Sequence, residues 1–267
     1  MKKLIIYWFR NDLRLEDNPA LNHACALAEK IGAELLTVFC HSTAYGALRS
    51  TSTKWGFARI SAHRQQFLRD SLMDLRQQLQ LYECDLLELD GDLSAQTDLW
   101  TYLLQRYALE AIICEEIAAP EEIAQVNSLR ALHLPVHTMW QSTMYAPAVF
   151  DFTLAQMPDQ FTTFRHKVEK GAYTIRQPVS CVLSKTFVLH DSNLQKFAVI
   201  PEANLVDNLS CLIGDERSSF PYLTAEFRGG SQAALQYLSH YFSTDLAHHY
   251  KQTRNQLHGT QFSTKFS

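Results

Sequence analysis

Several motifs that mark common classes of enzyme are absent from this sequence of 267 residues. No G-x-G-x-x-G motif follows the first hydrophobic segment, which argues against a standard dinucleotide-binding fingerprint. The phosphate-loop motif G-x-x-x-x-G-K-S/T does not occur, and neither does the G-x-S-x-G elbow of serine hydrolases. A phosphate-loop NTPase and a serine hydrolase of the usual type are therefore not expected.

Long hydrophobic runs and closely spaced cysteines are also lacking. The first apolar run covers only residues 4–9, which is too short for the apolar region of a signal peptide, and no other run approaches a membrane span. The six cysteines include no C-x-x-C pair, which is typical of reduced, buried thiols rather than of a disulfide scaffold or a zinc site. We expect a cytoplasmic protein without a membrane or metal partner.

An excess of positive charge is missing as well. The formal net charge is −4, with 13 Lys/Arg against 18 Asp/Glu in residues 1–150 and 11 against 10 in residues 151–267. Lysine and arginine supply most non-specific affinity for nucleic acid, so neither half is a basic platform for DNA. Any contact with DNA must come from local patches, and we expect it to be weak in this chain.

The hydrophobic residues that are present, 46% of the chain, alternate between two kinds of pattern. Five short runs, at residues 3–9, 35–40, 86–89, 111–114 and 136–140, have the character of buried strands. Helical patterns lie between them, and the clearest places apolar residues from Ile60 to Leu79 on one face. Strand and helix alternate throughout, so we predict a doubly wound, five-stranded parallel sheet of the α/β class over residues 1–140.

The pattern changes after about Gln141, where prolines interrupt weaker apolar runs and the alternation stops. We interpret residues 141–215 as a long interdomain connector. Helical periodicity returns in residues 216–267, where Gly229-Gly230-Ser231 precedes an apolar stripe that includes Leu235 and Phe242. Unpartnered, that stripe is an aggregation hazard.

The segment WFRNDLRLEDNPAL, residues 8–21, closely resembles the opening of photolyases and cryptochromes, a family that uses FAD and blue light. Three further segments resemble the DASH-type branch: FLRDSLMDLRQQL at 67–79, QFTTFRHKVEK at 160–170 and YKQTRNQLHGTQFSTKFS at 250–267. The resemblance implies a Rossmann-like first domain, a connector and the first helices of an all-α FAD-binding domain. Family members continue well beyond the T-K-F-S motif, and the missing part carries most of the flavin pocket.

Glu121 and Glu122 follow Pro120 at an expected helix start after the fourth strand. Taken alone, acidic residues there are explained by their favourable interaction with the helix dipole. By the resemblance, the pair lies where relatives hold the antenna 5,10-methenyltetrahydrofolate, and a carboxylate can accept paired N–H donors from a pterin edge. We prefer Glu122 as the principal contact.

The last residues of the sequence match positions at which the family holds FAD. Hydroxyl groups and a lysine suit phosphate oxygens, although such an end is usually a solvated tail. Arg254 and Asn255 could join this corner or cap a helix. We expect weak or absent FAD binding by this chain alone. The residues assigned to FAD by resemblance are Tyr250, Thr264, Lys265, Phe266 and Ser267.

Two further groups of polar residues have alternative interpretations. Arg10, Asp12 and Arg14 follow the first strand, where they could contact a ligand or, as we favour, form a structural lock between the two domains. The pair His248-His249 could suggest a metal, but adjacent residues on a helix point about 100° apart and no third ligand is evident. We therefore predict a solvated pair and no metal site.

The resemblance implies a DASH-type enzyme that repairs cyclobutane pyrimidine dimers, preferentially in single-stranded DNA, through FAD and a folate antenna. No catalytic residue is assigned to this chain, and activity requires the missing half, which a complementary C-terminal fragment could supply. The alternatives are a non-catalytic folate-binding or light-signalling interaction module and an inert remnant. A neighbouring reading frame that continues the family sequence would favour the enzyme.

Overall fold

The computed structural model describes residues 1–41, 62–199, 228–245, 248–249 and 251. Five parallel strands form one sheet in the order β3-β2-β1-β4-β5, which confirms the predicted α/β class. The strands are β1 (Lys2–Phe9), β2 (Ala33–His41), β3 (Leu86–Asp90), β4 (Tyr107–Glu115) and β5 (Val136–Met139). All five expected strands are present, at bounds that differ by up to four residues from the sequence prediction.

Six α-helices are described. They are α1 (Pro19–Ile31), α2 (Ala62–Gln80), α3 (Thr97–Arg106), α4 (Pro120–Ala131), α5 (Phe161–Lys170) and α6 (Ser231–Ser243). Helix α1 begins where the sequence predicts, because the Asn18 side chain accepts the Leu21 amide at 3.0 Å and Pro19 occupies the first turn. It ends at Gly32, whose φ of 64° suits glycine. No helix among the described residues is long and apolar enough to cross a membrane.

Alternate residues of the strands build two separate cores. On β1, Ile5, Tyr7 and Phe9 join the core beneath α1 and α2, whereas Leu4, Ile6 and Trp8 join the core beneath α3 and α4. A strand that is hydrophobic on both sides is expected when helices cover both faces of the sheet. Four cysteines (Cys25, Cys40, Cys84 and Cys114) are buried free thiols as predicted, Cys181 is half-buried, and Cys211 lies outside the described residues.

The second half of the connector packs against the α/β domain. Phe187 and Val188 belong to the core beneath α1 and α2, and Leu189 belongs to the other core. Val188 forms a parallel bridge with Leu35, and the Leu189 amide donates to the Leu35 carbonyl at 2.9 Å, beyond the point where β3 pairs with β2. The second half of the predicted connector is therefore buried in part against the sheet and its helices.

Ion pairs and hydrogen bonds fasten this part of the connector at its ends. Arg176 pairs with Asp17, with Nη1 2.5 Å from Oδ1 and Nη2 3.1 Å from Oδ2. Further along, the Asp191 carboxylate accepts from the hydroxyl of Tyr102 at 2.8 Å and from that of Tyr107 at 3.0 Å. These contacts hold residues 176–191 against the α/β domain, from the loop before α1 to the start of β4.

Candidate functional site

The strand order creates a crevice between β1 and β4 at the carboxyl edge of the sheet. From β1 the chain winds outward through β2 and β3 on one side, and through β4 and β5 on the other. Ligands of open α/β sheets bind at such a switch point. The residues that follow β1 and β4 are therefore the first candidates, and they include the predicted Arg10, Asp12 and Glu122.

Arg10 links the ends of β1 and β4 to the first turn of α4. Its side chain is 8% exposed, with Nη1 3.2 Å from the Glu115 carbonyl oxygen and Nη2 3.0 Å from that of Glu122. Nη2 also donates to Oε1 of Gln125 at 3.1 Å, and the guanidinium lies 4.7 Å from the ring centroid of Trp8. Arg10 is a structural lock, but the contacts lie inside the α/β domain rather than between two domains.

Asp12 is the centre of a second buried network. It accepts hydrogen bonds from the Tyr7 hydroxyl, from the Arg10 amide at 2.9 Å, from Asn18 Nδ2 at 3.1 Å and from Gln141 Nε2 at 2.8 Å. Burial, followed by the charge of Asp12, raises the pKa of Tyr7 well above its usual range, so this phenol stays protonated as a donor. The network ties the loop after β1 to the start of α1 and to the start of the connector.

Arg14 completes the group predicted after β1. Its Nε and Nη2 donate to the Asp17 carbonyl oxygen at 3.2 and 3.0 Å. Asp17 has a φ of 49°, a left-handed backbone conformation that is uncommon outside glycine, and these two bonds help to hold it. All three residues of this group thus fix the backbone at the crevice.

Glu121 and Glu122 occupy the first turn of α4, as predicted, and their environments differ. Glu121 is exposed, whereas Glu122 is only 6% exposed and lies on the inner face of the helix with Gln125, Val126 and Leu129. No side chain caps α4 at Ala119. A buried carboxylate can accept from a group that offers N–H donors, as a pterin edge does, and the free amides of the first turn of α4 stabilise its negative charge.

Glu115, which the sequence analysis did not single out, is a second buried carboxylate at the end of β4. It is 3% exposed; Oε1 accepts from the Ser142 hydroxyl at 2.6 Å, and Oε2 has no hydrogen-bond partner among the described residues. Burial, followed by the charge of Asp12, raises the pKa of Glu115. The available signal was an acidic residue directly after the buried run 111–114 at the predicted switch point.

Gln125 is another residue that the sequence analysis missed. Its Oε1 accepts from Arg10, and its Nε2 donates to Oδ1 of Asp92 at 3.1 Å, so it connects α4 to the loop after β3. The spacing of three residues from Glu122 places both side chains on the same helical face. That spacing is visible in the sequence, but the contact of Gln125 with Asp92 is not.

A cavity of about 660 Å³ opens beside the crevice, between the carboxyl ends of β1 and β2 and helices α2 and α6. Its wall is largely apolar, and Arg10 and Ser71 are among its polar residues. Helix α6 closes one side because the residues just before it pack closely on α2, where a Cβ on Gly229 would overlap the Phe67 carbonyl oxygen. The apolar side chains of the wall include Trp8, Phe9, Phe39, Phe67, Leu235 and Leu238.

The remaining predicted residues lie at the end of the sequence. Tyr250, Thr264, Lys265, Phe266 and Ser267, the positions assigned to FAD by resemblance, lie outside the described residues, as do Arg254 and Asn255. His248 and His249 are exposed. Within the described ranges, no group of three or more His, Cys, Asp or Glu side chains could hold a metal ion.

Comparison with known proteins identifies the family. A family model for DNA photolyase matches residues 5–182, more than half of the chain, so the chain belongs to the DNA photolyase family. Its curated relatives include the cryptochrome DASH of Idiomarina loihiensis, 31% identical over 99% of this chain and 53% of that protein. The cryptochrome DASH of Xenopus laevis is also 31% identical, over 99% of this chain and 48% of that protein. The predicted DASH-type resemblance is confirmed.

Solved structures support the same assignment. The crystal structure of a cryptochrome from Synechocystis sp. PCC6803 aligns with a TM-score of 0.77 and 28% identity, covering 100% of this chain and 52% of that one. A class III photolyase from Agrobacterium tumefaciens shares the fold, with a TM-score of 0.63 at 18% identity. The chain thus spans about half the length of the relatives it matches.

Proposed function

We propose that this chain is the antenna-side portion of a DASH-type cryptochrome that repairs cyclobutane pyrimidine dimers, preferentially in single-stranded DNA, in the cytoplasm. Membership of the family and the similarity to cryptochrome DASH proteins support this proposal. When bound, a folate antenna collects light and FAD supplies the electron for repair. The residues of this chain bind and orient these cofactors, and none of them is assigned a catalytic role.

The observation that carries the antenna assignment is the burial of Glu122 at the switch point. The Glu122 carbonyl accepts from Arg10 at 3.0 Å, so the backbone that bears the carboxylate is fixed before any ligand arrives. Arg10 is itself held by Glu115 and Gln125. A ligand that pairs with a preorganised side chain loses less conformational entropy on binding, which favours affinity. We therefore assign Glu122 as the principal folate contact and Arg10 as a positioning residue.

Uptake of added 5,10-methenyltetrahydrofolate, read from the near-ultraviolet absorption of the purified chain after removal of free ligand, tests the antenna site. Glu122→Gln keeps the size of the side chain but removes the charge, so we expect retention to fall at least about tenfold, since a charged hydrogen bond is worth 1.5–3 kcal/mol. Glu29→Gln, an exposed change on α1, is the control. Equal uptake by the Glu122 variant and the unmodified chain would refute the assignment.

FAD retention and repair require more of the protein than this chain. The proposed FAD contacts of this chain are Tyr250 and residues 264–267, and the rest of the pocket belongs to the part of the relatives that this sequence does not span. Adding FAD to the chain alone should leave little blue absorption after removal of free ligand. Co-expression with a complementary half should restore a flavin band and light-dependent loss of pyrimidine dimers from single-stranded DNA. A flavin band without repair would refute the enzymatic part of the proposal.

The alternative is a non-catalytic folate-binding or light-signalling interaction module. One observation favours it: the connector of this chain packs on the α/β sheet and buries Phe187 and Val188. This half of the relatives' length therefore forms a packed unit of its own. Folate uptake is expected under both functions. Lack of repair by the chain together with a complementary half would favour the module.

A further inference from the structure

Three cysteines from separate segments of the chain meet in the core beneath α1 and α2. Cys25 belongs to α1, Cys84 lies just before β3, and Cys181 lies on the connector. Cys25 and Cys84 are buried members of this core, and the half-buried Cys181 packs against it. The fold thus brings together three thiols that are widely spaced in the sequence and that take no part in the candidate site.

The connector is clamped to α1 on either side of Cys181. Asn22 Nδ2 donates to the Ser180 carbonyl at 2.7 Å, and Asn22 Oδ1 accepts from the Val182 amide at 3.2 Å. Cys25 follows Asn22 by three residues, so the two side chains are neighbours on the surface of the helix. Residue 181 is therefore held over the turn of α1 that carries Cys25.

The pKa values of the thiols reflect the same proximity. Burial is the main cause that raises the pKa of Cys25 to about 12, and the charge of Cys181 contributes more to that rise than the charge of Cys84. The effect of one charge on another falls with distance. Of the two neighbouring thiols, Cys181 is therefore the better placed to react with Cys25.

We propose that Cys181 and Cys25 form a reversible disulfide when the protein is exposed to a hydroperoxide, and that this bond fastens the connector to α1. Cys181 is the thiol of the pair that an oxidant in solution reaches, because Cys25 is only 1% exposed. Transient, redox-sensing disulfides are the kind that reducing compartments contain, which agrees with the cytoplasmic location proposed above.

The reaction proceeds in two steps. The Cys181 thiolate attacks one oxygen of hydrogen peroxide, the O–O bond breaks, and the departing hydroxide takes up the thiol proton as water, which leaves a sulfenic acid. Cys25 then attacks the sulfenic sulfur, and its proton leaves with the displaced hydroxide as a second water. Two thiols and one hydrogen peroxide thus give one disulfide and two molecules of water, and a dithiol reductant reverses the change.

The disulfide closes a long loop between α1 and the connector. A loop of roughly 155 residues loses much of its conformational freedom in the unfolded state, so the oxidised protein should unfold at a urea midpoint about 1–1.5 M higher than the reduced protein. Oxidation therefore converts a segment that is held by packing and hydrogen bonds into one that cannot separate from α1.

Treatment of the purified chain with hydrogen peroxide, in the dark and without cofactors, tests the proposal. We expect two of the six thiols to be lost, and mass spectrometry of the unreduced digest should show a peptide that contains residue 25 linked to one that contains residue 181. Burial and the charge of Glu16 raise the pKa of Cys181, so the rate should rise about tenfold from pH 7 to pH 8 with the thiolate fraction. Dithiothreitol should restore both thiols and the lower urea midpoint.

Substitution of single cysteines identifies the pair. Cys181→Ser and Cys25→Ala should each abolish the cross-link, whereas Cys84→Ala, in the same core, should leave it intact. Cys114→Ala, in the core beneath α3 and α4, is a second control. Circular dichroism should show that each variant keeps the helical content of the unmodified chain. Cys181→Ser, at a half-buried position, tests the proposal even if a change at the buried Cys25 disturbs folding.

Four outcomes would overturn the proposal. They are retention of all six thiols, a disulfide that joins Cys181 to Cys84 instead, linkage only between two copies of the chain on a non-reducing gel, and a Cys25–Cys181 bond that leaves the urea midpoint unchanged. No folate, flavin, DNA or light enters this assay, so its result is independent of the tests of the proposed function.

Discussion

Replacing Phe187 with alanine measures whether the connector is part of the folded α/β unit. Phe187 is 8% exposed in the core beneath α1 and α2, although it lies far beyond the predicted end of the domain. Truncating a buried phenylalanine to alanine costs about 3–5 kcal/mol, through lost burial and the cavity left behind. A change on a loose tether would cost less than about 0.5 kcal/mol.

Urea unfolding followed by intrinsic tryptophan fluorescence provides the assay. With a slope of about 3 kcal/mol per molar urea, a loss of 3–5 kcal/mol shifts the midpoint downward by about 1–1.7 M. Phe161→Ala is the matched control, because the same truncation in the exposed first half of the connector should move the midpoint by less than about 0.2 M. Equal, small shifts for both variants would show that the connector does not stabilise the sheet.

Three other predictions concern charge and close packing. Burial and the charge of Asp12 raise the pKa of Glu115 in the folded state, so the ionised carboxylate destabilises the fold as pH rises through that pKa. In urea titrations, Glu115→Gln should therefore become more stable relative to wild type from acidic to neutral pH. The Arg176 hydrogen bond lowers the pKa of Asp17, so Asp17→Asn should cost at most about 1 kcal/mol at neutral pH. That difference should shrink as pH falls through the folded pKa and as salt is added. Gly229→Ala should separate α6 from α2, lower the free energy of unfolding by about 1–3 kcal/mol and speed hydrogen exchange in α6. Unchanged exchange would contradict the close approach of Gly229 to α2.

The sheet could be predicted because each strand carries its own signal. In β1, uninterrupted apolar residues reflect burial on both faces, and that burial is what the structure shows. The start of β4 was missed by four residues, since Tyr107 follows α3 without a loop and the charged Glu110 interrupts the apolar run. There the pairing of Tyr107 with Lys2 sets the bound, and a local pattern cannot reveal a pairing between residues so far apart in the chain.

The packing of the connector could not be predicted for the same reason. Prolines lie on both sides of residues 183–194, and polar residues surround the short apolar run 187–189, so this segment resembles a tether when it is considered alone. Their partners are the open side of β2 at Leu35 and the hydroxyls of Tyr102 and Tyr107, all of which come from distant segments. On the side that faces β3, β2 is unpaired near its start, because β3 begins pairing only at Thr37. The connector occupies this position, and its Leu189 amide donates to the Leu35 carbonyl.

The candidate site was partly accessible from the sequence. The position of the acidic pair after β4 follows from strand order, and the inward direction of Glu122 follows from its spacing with Gln125 and Leu129 on α4. Its role as a folate contact stays a prediction. The partners of Arg10 were not accessible, because two of them are carbonyl groups of β4 and α4, and backbone acceptors leave no trace in a pattern of side chains.

The two networks at the carboxyl edge explain why the site tolerates a buried acid. Arg10 brings a positive charge and satisfies the carbonyls of Glu115 and Glu122, while Asp12 brings a negative charge that is compensated by four donors. Charges buried with partners cost far less than charges buried alone. Because these partners come from β1, β4, α1, α4 and the connector, the crevice is assembled only when the whole α/β unit is folded. The backbone at Glu122 and the start of the connector are thus linked by hydrogen bonds that run through Arg10, Asp12 and Gln141.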